Sequence, residues 1–181
     1  MKWEPMLGEL DQRRRGRLVA FATVLAGANL ADDLVQDAVI ATFTKTRSFD
    51  SVEQAEAYVR RAIATKYIDL VRKDRSRAAR ERLAAPYELI AAQETSPMSG
   101  ILVSALAALS PQVRACIVLR YLADMSIRTT ASVLNLAEGT VKRYTSNGLH
   151  ELNQRLGTHE TLEALDMVDV VNPTRTQEAT K

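Results

Sequence analysis

Residues 119–152 read LRYLADMSIRTTASVLNLAEGTVKRYTSNGLHEL. Apolar residues recur in this stretch every three or four positions, and this spacing predicts helices. Ser126 is placed to cap a helix over residues 127–135, and the run Leu136-Ala137-Glu138-Gly139 interrupts the pattern before a basic helix begins at Thr140. Two helices separated by so short a break predict a helix-turn-helix.

The second helix of this pair divides into an apolar face and a polar face. Helical spacing turns Val141, Thr145, Leu149 and Leu152 inward. The residues left on the outside are Lys142, Arg143, Ser146, Asn147 and His150. A polar and modestly basic face suits a recognition helix whose N-terminal half enters a major groove of DNA.

A second basic segment lies upstream, between Arg60 and Arg82. It contains nine arginines and lysines against three acidic residues. On a helix, such an excess is an electrostatic footprint for phosphates. The alternative is that these side chains only solvate the outer face of a helix. Together with the helix-turn-helix, the segment indicates a protein that contacts DNA at two places.

The composition favours an all-α fold. The 181 residues include only 7 glycines, 5 prolines and 5% aromatic residues, whereas alanine, leucine and arginine fill long periodic segments. The net charge of +2 excludes a simple polycation, and 46% hydrophobic residues suffice for buried cores. A membrane span needs about twenty apolar residues, but the longest weakly polar run, residues 18–31, contains Thr23 and Asn29. We therefore expect no membrane segment.

The chain is predicted to form two small helical domains joined by a linker. In the first domain, helices are expected over residues 8–26, over residues 30–46, and from residue 52 to beyond residue 75, the last behind a capping box of Ser51 and Gln54. Periodicity fades afterwards and resumes before Ser110-Pro111, a helix start. We therefore predict a first domain at residues 6–82, a linker at 83–101, a second domain at 102–156 and a C-terminal extension at 157–181.

These segments, in this order, resemble an extracytoplasmic-function (ECF) sigma factor of the sigma-70 family, and most of all its actinobacterial SigE-like branch. The first domain carries ADDLVQDA at 31–38 and AEAYVRR at 55–61. The second carries LSPQVR at 109–114 and GTVK at 139–142. The order of the motifs and the linker between them make the match specific, since GTVK alone also occurs in response regulators. The resemblance implies sigma region 2, a helical bundle, followed by sigma region 4, a helix-turn-helix domain.

The resemblance also implies a function and a set of site residues. Sigma factors direct promoter-specific initiation by bacterial RNA polymerase, so the expected partners are core RNA polymerase and promoter DNA. The segment that docks on the polymerase corresponds to Asp33, Leu34, Val35, Gln36 and Asp37; for Leu34 and Val35 the alternative is core packing. The loop and helix that hold the opened −10 element correspond to Phe49, Asp50, Ser51, Arg60, Arg61, Thr65 and Lys66. The helix that reads the −35 duplex supplies Thr140, Lys142, Arg143, Ser146 and Asn147.

Several positions depart from the family pattern. Tyr58 stands at a tryptophan position, Thr65 where an asparagine is frequent, and Asn147 where an arginine is usual, so the promoter sequence does not transfer. Ala137 stands where many members have a serine that caps the recognition helix, which costs that helix about 1 kcal/mol. Glu138 in the first turn offsets part of this cost through the helix dipole.

The sequence contains no pattern typical of a catalytic site, so we expect no enzyme, no cofactor and no metal. Cys116 lies in an apolar helix as buried filler, and a single cysteine without an internal disulfide fits a cytoplasmic protein. His150 and His159 lack zinc-site spacing. The aspartates at 32–37 resemble a magnesium motif, but a second metal-binding motif is absent, and a helix N-terminal turn facing a partner explains them better.

One other class of protein stays open at this point. A stand-alone helix-turn-helix regulator would form a symmetric dimer and bind half-sites about one helical turn apart. For a sigma factor we expect instead a monomer when free. Members of the resembled family are commonly held inactive by an anti-sigma factor, and the sequence does not decide whether this chain has one. The amphipathic patch at 162–168 is expected to pack on the protein as a regulator, or else to be partly disordered.

Overall fold

The computed structural model describes residues 4–45, 48–81 and 97–157, with backbone only at 75–81 and 97–99. All regular elements in these ranges are helical, which confirms the all-α prediction. The helices are α1 Glu4–Ala26, α2 Ala28–Lys45, α3 Val52–Glu81, α4 Pro97–Ala108, α5 Pro111–Ile117, α6 Ile127–Leu134 and α7 Glu138–Leu156. A π-helical turn, Val118–Leu122, extends α5.

Helices α1, α2 and α3 pack against one another as a bundle around a buried core that includes Phe21, Ala38 and Ile63. Helix α1 begins at Glu4, one turn earlier than the periodicity predicts, because Pro5 is compatible with the first turn of a helix. Gly27 separates α1 from α2 with a φ of 85°, a left-handed conformation that glycine adopts without a steric penalty. Helix α1 therefore ends at Ala26, as predicted, and α2 follows directly at Ala28.

The start of α3 has the predicted capping interaction in a slightly different form. Ser51 Oγ accepts a hydrogen bond from the Gln54 amide at 3.2 Å. The Gln54 side chain reaches back to the amide of Asp50 rather than Ser51, with Oε1 accepting at 2.7 Å, and its Nε2 donates to Asp50 Oδ2 at 3.2 Å. The loop before α3 is therefore fixed by three hydrogen bonds.

Helices α4 to α7 form the second bundle. Helix α4 begins at Pro97, inside the range predicted as linker. Ser110 and Pro111 begin α5 as predicted, although the Ser110 side chain makes no capping hydrogen bond among the described residues. Ser126 caps α6, since its Oγ accepts from the Thr129 amide at 3.0 Å. Asn135 ends α6 in the left-handed conformation, with a φ of 51°.

The helix-turn-helix consists of α6 and α7, and α5 supports it from behind. Gly148 of α7 is buried where α7 crosses α5. A Cβ atom placed there would lie 2.7 Å from Val113 Cγ1 and 2.9 Å from Ile117 Cγ1, which is closer than carbon atoms normally approach. Only a residue without a side chain therefore permits this crossing without movement of its neighbours.

The two bundles pack against each other through one continuous set of buried apolar side chains. Helices α1 and α3 contact α4, α5 and α6, but each bundle is packed more extensively within itself. Residues 82–96 and 158–181, which include most of the predicted linker and the amphipathic patch at 162–168, lie outside the described residues. Among the described helices, none is long and apolar enough to cross a membrane.

Candidate nucleic-acid interface

The exposed face of α7 has the composition predicted for a recognition helix. Lys142, Arg143, Ser146 and Asn147 are all exposed, and Thr140 is partly exposed in the first turn. Val141 and Leu152 are buried on the opposite face. Side chains that donate and accept hydrogen bonds therefore project from the N-terminal half of α7, the part of such a helix that reaches base edges in a major groove.

The start of α7 is held without a side-chain cap. Ala137 occupies the N-cap position, and no described side chain accepts a hydrogen bond from the first-turn amides there. The Arg143 guanidinium lies 5.6 Å from the centre of the Tyr144 ring. Tyr144 in turn donates a long hydrogen bond of 3.5 Å to Gln112 Oε1 on α5. These contacts connect the exposed polar side of α7 to α5 behind it.

A cluster of aromatic rings and one arginine lies on the first bundle, where the loop at residues 48–51 meets α3. Phe49 packs edge-to-face against Phe43 and Tyr58, with ring centres 5.2 and 5.6 Å apart. The Arg61 guanidinium lies 5.4 Å from the centre of the Tyr58 ring. Tyr58 is 42% exposed, and we call Phe43, Phe49, Tyr58 and Arg61 the aromatic platform.

The aromatic platform contains two side chains that the sequence did not assign to the site. The sequence showed Tyr58 only as a departure from a tryptophan position, and Phe43 is a core residue that is 6% exposed. The sequence gives no sign that Phe49 packs against these two rings, because Phe43 lies on α2, Tyr58 lies on α3 and Phe49 lies in the loop between the two helices. An exposed ring beside a guanidinium offers a face on which an unpaired base can stack.

The remaining predicted −10 residues are placed unevenly. Thr65 is exposed, and its hydroxyl donates to the Arg61 carbonyl at 2.9 Å in the preceding turn. Lys66 is half-buried and pairs with Asp37 across to α2 at 3.4 Å. Asp50 and Ser51 take part in the hydrogen bonds that fix the start of α3. Asp50 and Ser51 therefore shape the loop, while Thr65 and Lys66 face the surface.

Arg60 does not lie on the exposed face predicted for it. Its residue is only 7% exposed, its guanidinium pairs with Glu56 and lies 5.5 Å from the centre of the Phe21 ring, and it donates to the Leu122 carbonyl at 3.4 Å. Burial lowers the pKa of Arg60 from its ordinary value, and the Glu56 carboxylate opposes this. The residues three, four and seven positions on are Ile63, Ala64 and Tyr67, all buried, so Arg60 belongs to the buried stripe of α3.

The predicted polymerase-docking segment is divided by the fold. Leu34 and Val35 are 3% and 1% exposed, so their side chains belong to the bundle core and the surface prediction is wrong for them. Asp33, Gln36 and Asp37 are exposed on the outer face of α2. Ile40, one turn beyond Gln36, is 58% exposed and adds an apolar side chain that the sequence did not single out. A surface of this mixed composition suits a protein partner.

The aspartates of α2 are not arranged as a metal site. Asp32 pairs with Arg15 of α1 at 3.3 Å, and Asp37 pairs with Lys66. In the part of the chain that the structure describes, no group of three histidine, cysteine, aspartate or glutamate side chains is placed to hold a metal ion. These carboxylates are therefore engaged in surface ion pairs between helices.

The fold and the two surfaces define a class: a DNA-binding protein with a three-helix bundle that bears an aromatic platform and a helix-turn-helix that bears a polar recognition face. Comparison with known proteins assigns the same two parts. The profile of "Sigma-70 region 2" matches residues 10–77, and that of "Sigma-70, region 4" matches residues 99–152. The chain belongs to the sigma-70 family, in its extracytoplasmic-function group.

Relatives and a solved structure agree with this assignment. The chain is 26% identical over 166 residues to the "ECF RNA polymerase sigma factor SigE" of Mycolicibacterium smegmatis, covering 87% of this chain and 64% of that protein. It is 27% identical over 126 residues to the "RNA polymerase sigma-E factor" of Streptomyces coelicolor, covering 70% and 71%. The sigma factor RpoE of Bartonella quintana, solved in complex with the anti-sigma factor NepR, shares the fold with a TM-score of 0.64 at 24% identity, over 84% of this chain and 96% of that one.

Proposed function

We propose that this chain is a promoter-specificity subunit of RNA polymerase that opens the −10 element with region 2 and reads the −35 element with region 4. One observation carries the proposal: the chain has two exposed surfaces of different chemistry, each suited to a different form of DNA. The recognition face of α7 is polar, whereas the surface of region 2 is aromatic and basic. A protein that binds only duplex DNA has no use for the second surface.

The α7 face is suited to duplex recognition. Lysine and arginine can donate to guanine O6 and N7, and asparagine can pair with adenine N6 and N7, each good bidentate pair contributing about 1–3 kcal/mol of discrimination. Lys142, Arg143 and Asn147 supply such groups from exposed positions of α7. Thr140 and Ser146 add hydroxyl groups for base edges or phosphates.

The aromatic platform is suited to a melted strand. Extruding a base from a duplex costs a few kcal/mol, and a stacking contact returns about 1–3 kcal/mol per base. Tyr58 has the exposed ring, Phe49 supports it from behind, and Arg61 adds a cation beside it. Thr65 and Lys66 follow on the same helix and would line the strand.

The surface of α2 that bears Asp33, Gln36 and Asp37 would dock on core polymerase, with Ile40 as its apolar contact. The chemistry of initiation then belongs to the polymerase, and this chain supplies recognition and positioning. In such an arrangement the chain acts in the cytoplasm and is a monomer when free. The solved relative in complex with an anti-sigma factor makes a partner of that kind a reasonable expectation here too.

Run-off transcription tests the proposal. Core polymerase is incubated with genomic fragments, with and without this chain, and transcripts that depend on the chain identify its promoters. Lys142→Ala and Asn147→Ala should reduce these transcripts, whereas Glu151→Ala, exposed further along the same helix, serves as the matched control. Absence of any chain-dependent transcript, together with no affinity for core polymerase, would contradict the proposal.

The alternative is a stand-alone helix-turn-helix regulator. The same purified chain distinguishes it from a sigma factor. A regulator of that class requires a stable symmetric dimer and tight binding to a short palindromic duplex without polymerase. Sedimentation of the free chain gives its mass directly. A monomer that binds core polymerase agrees with the sigma-factor proposal, and a dimer without affinity for polymerase agrees with the regulator.

A further inference from the structure

An apolar groove lies on region 4, where α4 passes the last turn of α7. The groove encloses about 540 Å³, and it is lined by Gly100, Ile101, Ser104, Ala105, Arg155 and Leu156. Ile101 is 57% exposed, and Leu156 is only half-buried. Two large apolar side chains of region 4 therefore line a space that is wide enough to receive further side chains.

The chain leaves α7 directly at this groove. Gly157 ends α7 in the left-handed conformation, with a φ of 66°, and its amide donates to the Asn153 carbonyl at 3.0 Å. A left-handed residue at this position turns the chain away from the helix axis. Arg155 and Leu156, the two residues before it, belong to the lining of the groove. The 24 residues that follow Gly157 therefore start beside the groove.

The sequence that follows has an apolar pattern and a charge that suit the groove. Residues 162–168 read LEALDMV, in which two leucines and a valine recur every third position. On a helix, this spacing places the three side chains along one face. Residues 158–172 include four acidic residues and no lysine or arginine. Their charge is opposite to that of Arg155, which is exposed beside the groove.

The length of the connection also fits. Four residues, 158–161, separate Gly157 from the first leucine of the pattern. Connections between helices of a bundle commonly have about 2–8 residues, and such short connections place the two helices side by side and antiparallel. Asn172-Pro173 bounds the pattern at its other end, since the residue before a proline disfavours the helical conformation. A helix over residues 162–171 would be about 15 Å long, close to the length of α4 at about 18 Å.

We propose that residues 162–168 dock into this groove as a further helix of region 4. The leucines at 162 and 165 cover Ile101 and Leu156, and the acidic residues at 163 and 166 lie beside Arg155. The occupant of the groove is thus a segment of the same chain. The proposal does not depend on the proposed function, because every feature that supports it belongs to the free chain.

Docking at this place leaves the recognition face of α7 free. Leu156 follows Lys142 by 14 positions, which corresponds to about 21 Å along the helix axis. The docked segment therefore braces the C-terminal end of α7, while the residues that face a major groove stay exposed at the other end. This distance also separates two places where an acidic segment could bind, the groove and the basic recognition face.

The proposal is tested by NMR on the isotope-labelled full-length chain with a nitroxide on Ala108→Cys. Ala108 is exposed on α4, one turn beyond Ser104, and it does not line the groove. Cys116 stays unlabelled, because burial raises the pKa of its thiol to about 12. A nitroxide broadens the signals of nearby amides whatever the exact register of the segment. The amide signals of residues 162–168 should be strongly broadened, whereas a nitroxide on Lys142→Cys should leave them sharp.

Substitutions in the groove should release the segment. Ile101→Asp should lower the ratio of docked to free segments about 10-fold, because an apolar contact is lost, and the broadening should fall with it. Leu30→Asp is the matched control, since Leu30 is an exposed apolar residue of α2, and it should leave the broadening unchanged. Arg155→Glu should also reduce the broadening. Combining Arg155→Glu with Glu163→Lys and Asp166→Lys should restore it.

Specific results would overturn the proposal. Sharp signals for residues 162–168 beside the Ala108 nitroxide would do so, as would full broadening in a folded Ile101→Asp chain. Should Ile101→Asp fail to fold by circular dichroism, the charge reversal of the exposed Arg155 decides. Broadening from the Lys142 nitroxide instead would place the acidic segment on the recognition face.

A second copy of the chain is a different occupant, and a mixture distinguishes it. Isotope-labelled chains without nitroxide are mixed with nitroxide-bearing chains without isotope label. Broadening of residues 162–168 in this mixture would mean that the segment binds the groove of a second copy, and it would refute docking within one chain. These measurements need neither polymerase nor promoter DNA, so a negative run-off assay would defeat the proposed function and leave the docked segment standing.

Discussion

Gly148→Ala is predicted to destabilise region 4, although alanine is the better helix former. A Cβ at this position would lie 2.7 Å from Val113 Cγ1 and 2.9 Å from Ile117 Cγ1, well inside the usual carbon contact distance of about 3.5–4.0 Å. Overpacking of this kind costs about 1–3 kcal/mol, whereas replacing glycine within a helix gains about 1 kcal/mol. We expect the free energy of unfolding to fall by about 1 kcal/mol on balance.

Gly139→Ala is the matched control, because Gly139 lies on the same helix and a Cβ there would meet no described atom within 4 Å. It should raise the free energy of unfolding by up to about 1 kcal/mol. Urea denaturation measures both variants, provided that the slope of the transition is unchanged, so that the midpoint reports stability. The two alanines should therefore shift the midpoint in opposite directions.

Val113→Ala provides the decisive third variant, since it removes the closest atom. In the double variant Gly148→Ala with Val113→Ala, the new methyl group occupies space that the valine has left. The double variant should be more stable than the sum of the single effects predicts, with a coupling of about 0.5–3 kcal/mol. Additive effects, or a Gly148→Ala variant as stable as Gly139→Ala, would refute the explanation by close packing of α5 and α7.

Three further predictions concern a helix cap, a stacking ring and a thiol. Ser126→Ala removes the oxygen that caps α6 and should lower the free energy of unfolding by about 1 kcal/mol. Ala137→Ser supplies a capping oxygen to α7 and should raise the free energy of unfolding by a similar amount. Thermal denaturation measures both variants. Tyr58→Ala should weaken binding of the melted −10 strand by about 1–3 kcal/mol, because it removes the stacking ring. Tyr58→Phe keeps the ring and should bind the strand almost as tightly as the unsubstituted chain. Permanganate reactivity of promoter complexes measures both variants. Cys116 should resist a disulfide reagent at pH 8 and react fully in denaturant, because burial raises its pKa to about 12 and keeps the thiol protonated until the chain unfolds.

Regular periodicity predicted the helix-turn-helix well. The outward face of α7 follows directly from helical spacing, because Val141 and Leu152 must turn inward to cover α5. Helix α6 begins at the Ser126 cap and ends at Asn135 in the left-handed conformation. Serine and asparagine favour these positions for local reasons, so the residue types alone indicate both ends. The same holds for Ser51 and Gln54 at the start of α3, where only the target of the return hydrogen bond differed.

Tertiary partners decided the positions that the sequence did not predict. Arg60 is a charged residue within a buried stripe, and its placement depends on Glu56 one turn away and on a carbonyl of the other region. Leu34 and Val35 occur in a motif that includes exposed acids, but the apolar side chains complete the core of the first bundle. The sequence pattern assigned no role to Gly148, because its role depends on the crossing of two helices.

The modest charge of the recognition face predicts weak binding of the free chain to duplex DNA. Each phosphate that a protein neutralises strengthens binding and steepens its dependence on salt, so a face with only Lys142 and Arg143 as cations binds duplex DNA weakly by itself. Arg60 is buried against Glu56 and Phe21, and Arg72 donates to the Leu134 carbonyl, so these two cations of α3 add little to that affinity. Promoter binding is therefore expected to depend on the polymerase complex rather than on the recognition face of α7 alone.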